Sequence, residues 1–287
     1  MALRNRRFLD FLLYSNLFIG CCASAQAALA FELLSFPRRP DVMLLVGLST
    51  MVLYSIPQAL AGQAAKGNAK LRWSSRNRTL FLVLLVLAVF GMMLLLARLR
   101  MAVITGYVLA GVLALAYYAP VLGRKGNRVG LRSLYGAKVF YIALVWVFAC
   151  LGLPILVAYA RNWPVSAPQA LQLAAWMFLF VVAITIPFDI RDRKSDRKYG
   201  LRTLPVLIGA RRSQYVSTLL LGIHGLWVLA SGYGTCVRIL LLVVSAYAIG
   251  LVWRAKADKG DYYYFLALDG LLVLQYGAVL LGRLITC

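Results

Sequence analysis

The chain has 287 residues, 62% of them hydrophobic, and a mean hydropathy of +0.80, where soluble domains are nearer half apolar. Its 31 Lys and Arg against 9 Asp and Glu give a net charge of +22, a balance that in a soluble protein suggests nucleic acid. No nucleic-acid motif is present, and several apolar runs exceed the roughly 18 residues that mark a bilayer span, so the basic residues are read as loops meeting anionic headgroups.

In chain order, the first segment, MALRNRRFLDFLLYSNLFIGCCASAQA, imitates a signal peptide. Asp10 and Asn16 interrupt its apolar part, and the helical pattern runs on to about Leu34. It is therefore read as a retained first span. Apolar runs predict nine spans, at roughly 8–34, 41–62, 79–97, 101–119, 134–158, 168–187, 215–232, 236–253 and 262–282. Each is long enough at 1.5 Å per residue to cross about 30 Å of hydrocarbon. None shows the alternation of barrel strands, so the expected fold class is all-α, a polytopic bundle of about nine transmembrane helices forming one domain over residues 1–287.

The loops separate by charge. With the N-terminus placed in the cytoplasm, 24 of the 31 basic residues fall on the cytoplasmic side and seven on the other. This predicts a multi-pass protein of a bacterial cytoplasmic membrane with its C-terminus on the opposite face. The two longest cytoplasmic loops, after spans two and six, hold equivalent positions in the two halves, a weak sign of an internal repeat. Five cysteines (Cys21, Cys22, Cys150, Cys236, Cys287) form no CxxC, and there is one histidine, which argues against a zinc site.

The acidic residues cluster after span six, in FDIRDRKSDRKYGLRTLPVLIG. Asp189, Asp192 and Asp196 are spaced three, four and seven apart and share one face of a helix. Like-charged carboxylates held together invite a cation, and oxygen ligands of this kind suit Mg²⁺ shared with substrate phosphates. The same pattern also reads as a solvated loop salt-bridged at i, i+4. Gly200 should end the helix and Pro205 should restart it in a first turn.

This stretch resembles the second aspartate-rich motif of the UbiA superfamily of intramembrane prenyltransferases. Asp189, Asp192, Asp196, Gly200, Thr203, Leu204, Pro205, Val206 and Gly209 match the family form, and nine helices with the motif after the sixth fit the family over the whole chain. The resemblance implies that Mg²⁺ holds a prenyl diphosphate, that the diphosphate leaves, and that an aromatic or other lipophilic acceptor captures the allylic carbocation. It implies Asp189, Asp192 and Asp196 as metal ligands and catalytic residues, with Arg202 and Lys198 on the diphosphate. The loop after span four, YYAPVLGRKGNRVGLRSLYGAK, resembles the family's Tyr-Pro…Lys-Arg segment and carries Tyr118, Arg124 and Lys125 as substrate contacts. These three also read as an interfacial Tyr and a positive-inside loop.

The resemblance breaks at the family's first motif. The loop after span two, YSIPQALAGQAAKGNAKLRWSSRNRT, has no acidic residue, and none occurs between Asp41 and Asp189. Lys66 and Lys70, spaced i, i+4, are candidates to take over part of the lost charge on the diphosphate, with Gln58, Gln63 and Asn68 as polar neighbours; an ordinary basic loop is the other reading. Two functions follow: a membrane prenyltransferase using Mg²⁺, or a catalytically impaired member that binds an isoprenoid lipid or acts as a membrane scaffold. A transporter or channel is a third, weaker reading.

Within the membrane, Asp269 lies about 10 Å into the last span and is a candidate substrate contact, or else a structural partner of a polar residue on another helix. Asp10 and Asn16 either line the same cavity or pack helices. Tyr54, Tyr117, Tyr141 and Trp146 are candidates to shield a carbocation through their ring faces. His224, with no acidic residue near it in sequence, is read as a packed polar residue. Expected partners are a prenyl diphosphate, a lipophilic acceptor and membrane lipids.

Overall fold

The computed structural model describes residues 2–60, 69–116 and 136–285. Every element in it is helical: α1 (Ala2–Tyr14), α2 (Leu17–Leu33), α3 (Pro40–Leu60), α4 (Ala69–Arg76), α5 (Arg78–Leu96), α6 (Met101–Ala116), α7 (Lys138–Val147), α8 (Leu153–Ala160), α9 (Ala167–Lys198), α10 (Leu204–Ile208), α11 (Ala210–Ala230), α12 (Thr235–Arg254) and α13 (Asp269–Leu284). Two π-helical turns join the set: Phe148–Gly152 links α7 to α8, and Tyr263–Leu268 leads into α13.

Among the described residues, seven helices are long and apolar enough to cross a membrane, eight with the bent pair of α1 and α2 counted as one span. The shorter apolar helix α6 stands where the fourth span is expected. The apolar surface confirms the environment: α5 has a mean hydropathy of 3.0 yet only 11% of it is buried, with Val86, Phe90 and Met93 more than half exposed. Such a face is stable only against hydrocarbon. The chain is an integral membrane protein.

Sequential helices pack as neighbours, α2 on α3, α9 on α11, α11 on α12 and α12 on α13, while α13 returns onto α2 and α7 lies against α9. The central helix is α9, two-thirds buried. At one end, Arg283 donates to the buried Glu32 carboxylate at 2.7 Å and to its carbonyl at 2.7 Å, tying α13 to α2.

One span departs from expectation. The first is broken: Asn16 adopts φ +67 and the two halves meet at 63°. Asn16 Nδ2 donates to Ser55 Oγ (2.9 Å) and Gln58 Oε1 (2.6 Å), and Gln58 Nε2 donates to the Tyr14 carbonyl at 2.9 Å. Side chains at the end of α3 thus satisfy the groups freed by the break. The sixth span, expected over 168–187, is part of a longer helix: α9 carries the acidic residues on to Lys198 and turns at Gly200, as expected. The acidic face is a projection of the central helix, not a loop.

The α2–α3 contact depends on small residues. A Cβ on Gly47 would lie 2.8 Å from the Gly20 carbonyl oxygen and 2.1 Å from Ser24 Oγ, so the backbones touch as in other close transmembrane pairs. Gly47→Leu is expected to cost about 1–3 kcal/mol, the range for overpacking, read as a lower thermal unfolding midpoint in detergent.

Candidate functional site

The elements around the site begin with the end of α9. Its termination follows a Schellman pattern: Gly200 has φ +68, its N–H donates to the Arg197 carbonyl at 3.2 Å, and Leu201 N–H donates to the Asp196 carbonyl at 2.8 Å. Pro205 sits in the first turn of α10, and Gly209, at φ +87, links α10 to α11. Much of the motif after the aspartates is therefore there to turn the chain. The Gly136 N–H donates to the Arg202 carbonyl at 2.7 Å, which fastens this turn to the start of α7 and so delivers Lys138.

Lys138 meets the acidic face. Its Nζ lies 2.6 Å from Asp189 Oδ1 and 3.9 Å from Asp196 Oδ2. Asp189 is 1% exposed, and its Oδ2 is buried with no hydrogen-bond partner among the described residues. Asp192, at 39% exposure of its side chain, pairs with the neighbouring Arg191 through Nε (2.8 Å) and Nη2 (3.2 Å). The Arg191 guanidinium in turn lies over the rings of Phe188, Tyr264 and Phe265, at 5.4, 4.9 and 5.3 Å.

These groups border a cavity of about 230 Å³. Asp189, Asp192, Arg191 and Lys138 form one wall, Lys70 and Tyr54 stand on α4 and α3, and Asp269, Phe265 and Asn16 complete the lining. Lys70 Nζ is 5.3 Å from the Phe265 ring centre and 6.0 Å from that of Tyr54. Burial pushes the Lys70 ammonium down to about 8; Asp269 opposes the shift, Arg191 adds to it, and Asp261 opposes it.

A second cavity of about 230 Å³, lined almost wholly by apolar side chains of α3, α5, α6 and α7, shares Tyr54 and Trp146 with the first. Trp146 Nε1 donates to Tyr54 Oη at 3.4 Å, so this pair forms the partition between the charged and the apolar space. Leu115, half exposed, belongs to the lining of the apolar cavity.

Of the residues singled out in the sequence, the fold brings Asp189, Asp192, Lys70, Asp269, Asn16, Tyr54 and Trp146 to the cavity. Asp196 lies one turn further along, buried beside Lys138 and outside the cavity lining. Among the described residues, no three acidic, His or Cys side chains converge as a ready metal-ligand set. Lys198 and Arg202 are exposed and do not border the cavity. Tyr141 borders a smaller apolar pocket beside Tyr54 and Trp146. Asp10 accepts a hydrogen bond from Tyr262 instead. His224 is fully buried, bonded to Ser245 and Gln275 and stacked on Trp176, as a packed polar residue should be. Lys66, Tyr117, Tyr118, Arg124 and Lys125 lie outside the described residues. Sequence reading missed Lys138 and Arg191 as site groups; the signal for Arg191 was its place inside the acidic run.

The acidic end of α9, the cations beside it and an adjoining apolar cavity lie together in this lipid-embedded bundle. The comparisons place the chain in a family. The model of the UbiA prenyltransferase family matches residues 71–267, and the chain belongs to that family. A curated relative, the digeranylgeranylglyceryl phosphate synthase of Thermococcus gammatolerans, is 32% identical over 122 residues, covering 39% of this chain and 42% of the relative. The match thus spans less than half of that relative's length. The apo structure of a UbiA homologue from Aeropyrum pernix K1 superposes with a TM-score of 0.63 at 15% identity, over 93% of this chain and 97% of that one. That likeness shows the shared fold.

Proposed function

We propose that the protein transfers a prenyl group from a prenyl diphosphate to a lipophilic acceptor. The observation that carries this reading is the adjoining pair of cavities, one edged by Asp189, Asp192, Lys70 and Arg191, the other apolar, divided by Tyr54 and Trp146. The head of a prenyl diphosphate suits the first and its tail the second. The predominance of basic residues on the α9-end loops supports placing this end at the cytoplasmic face.

The donors fit one Mg²⁺. Two carboxylates three residues apart on one helical face border the cavity, and one of them has a buried oxygen without a hydrogen bond. Mg²⁺ is commonly held by one or two carboxylates plus substrate phosphates, so Asp189 and Asp192 would hold it. Bound there, it would offset charge on the diphosphate as the leaving group forms.

The chain's own residues do the rest. Arg191 orients Asp192, and Lys138 fixes Asp189. The ring faces of Tyr54 and Phe265 border the place where the allylic carbon loses its bond to oxygen, and they favour the developing cation there. The carbon then bonds to the acceptor, and the acceptor loses a proton. The relative's name supports including a glyceryl phosphate lipid among acceptors tested, beside a quinone precursor, a porphyrin-type ring and a sugar phosphate.

Detergent-purified protein with radiolabelled geranylgeranyl diphosphate, Mg²⁺ and that acceptor panel should yield a labelled prenylated product and free diphosphate in equal amounts. A second reading, an isoprenoid-binding member without turnover, draws on the acid-free loop after α3 and the commitment of Asp189 and Asp196 to Lys138. Saturable binding with no product from any acceptor would favour it; failure to bind prenyl diphosphates at all would sink both.

A further inference from the structure

We propose that Lys70, which enters the cavity from α4, is the second positive centre of this site and takes the diphosphate together with a metal ion on Asp189 and Asp192, so that a single divalent ion suffices. This inference rests on the prenyl diphosphate reading above. A diphosphate carries several negative charges, and entering a largely apolar-walled cavity it needs compensation on more than one side. The two carboxylates that would hold a metal ion, Asp189 and Asp192, both come from α9, and Asp269 enters from α13. The stretch joining α3 to α4 contributes none, because no Asp or Glu occurs between Asp41 and Asp189.

The acidic wall is itself largely committed. Asp189 is paired with Lys138 at 2.6 Å and Asp192 with Arg191 at 2.8 Å. Among the described residues, the charged ones bordering the cavity are three cations, Lys70, Lys138 and Arg191, and three carboxylates, Asp189, Asp192 and Asp269. The remaining carboxylate, Asp269, acts on Lys70 as its strongest favourable charge.

Lys70 differs from the other two. Among the described residues it has no ion pair within 4.0 Å and no hydrogen bond, and it lies near the ring faces of Tyr54 and Phe265. An ammonium has three donors and no acceptor capacity. Left against Tyr54 and Phe265 at the edge of the cavity, it presents those donors to an incoming anion. Lys70 borders the same cavity as Asp189 and Asp192, so a diphosphate bound there meets a metal ion through the α9 carboxylates and an ammonium from α4.

The test uses the full chain in detergent with geranylgeranyl S-thiolodiphosphate, a slow-reacting analogue, as probe. Calorimetry gives affinity, and electron paramagnetic resonance of Mn²⁺ counts metal ions per bound analogue. One Mn²⁺ per analogue is expected in the wild type. At saturating Mn²⁺, Lys70→Met should weaken the analogue about 10- to 100-fold, the range for a hydrogen bond to a charged group, and Lys70→Arg should recover most of the loss. Raising the pH through about 8 should weaken binding to the wild type as Lys70 loses its proton, and spare Lys70→Arg. Two Mn²⁺ per analogue in the wild type, a count that needs no variant, would overturn the proposal, as would wild-type affinity in Lys70→Met. No saturable binding of the analogue to the wild type at any Mn²⁺ concentration would reject the prenyl diphosphate reading itself.

Discussion

Lys138→Met should destabilise the protein by about 3–5 kcal/mol, because it leaves Asp189 as an uncompensated buried charge. The carboxylate is 1% exposed, and Lys138 donates its only described hydrogen bond. Adding Asp189→Asn should restore much of the loss, since the double variant removes the charge along with its partner. Chemical unfolding of the single and double variants in the same detergent measures this. Equal stabilities for Lys138→Met and the double variant would show that the ammonium does not balance Asp189.

Asp192→Asn should lower prenyl transfer by about 100-fold or more, from several kcal/mol of lost charge stabilisation at 1.36 kcal/mol per tenfold. Its unfolding midpoint should stay near that of the wild type, because the side chain is 39% exposed and its described partner is the adjacent Arg191. Asp196→Asn should behave differently. That residue borders Lys138, not the cavity, so its effect should fall on stability more than on Mg²⁺ affinity. Mg²⁺ titrations of diphosphate release separate the two; equal losses of Mg²⁺ affinity would mean that both carboxylates ligate the ion.

The helical bundle could be read from sequence because a bilayer span must be a long apolar run whose backbone groups bond within the segment. The break at Asn16 could not. It depends on Ser55 and Gln58, some forty residues away, which supply the bonds that the kinked backbone and side chain need. The apolar part of the sixth span ends before its helix does. Hydropathy drops at Phe188–Asp189, but helical hydrogen bonding does not, and α9 continues with its polar face turned toward α7.

For the site, Asp189 and Asp192 were legible by spacing, and Asp269 by the cost of a carboxylate at membrane depth. Lys138 was counted only as a basic residue on the cytoplasmic side, since its partner stands 51 positions later and the turn that delivers it is a single backbone bond from Gly136 to Arg202. Lys198 and Arg202 were expected at the diphosphate by resemblance, and the Schellman turn at Gly200 leaves both on the exposed side.

On the proposed function, the apolar cavity sets the units in which this protein would meet its ligands. A molecule whose tail enters there has first dissolved in the bilayer, so its effective concentration is a mole fraction among lipids, not an amount per volume of water. At constant bulk composition, added inert lipid dilutes such a ligand. Occupancy of the site then depends on the ratio of ligand to membrane, and the surrounding bilayer becomes the reservoir that feeds it.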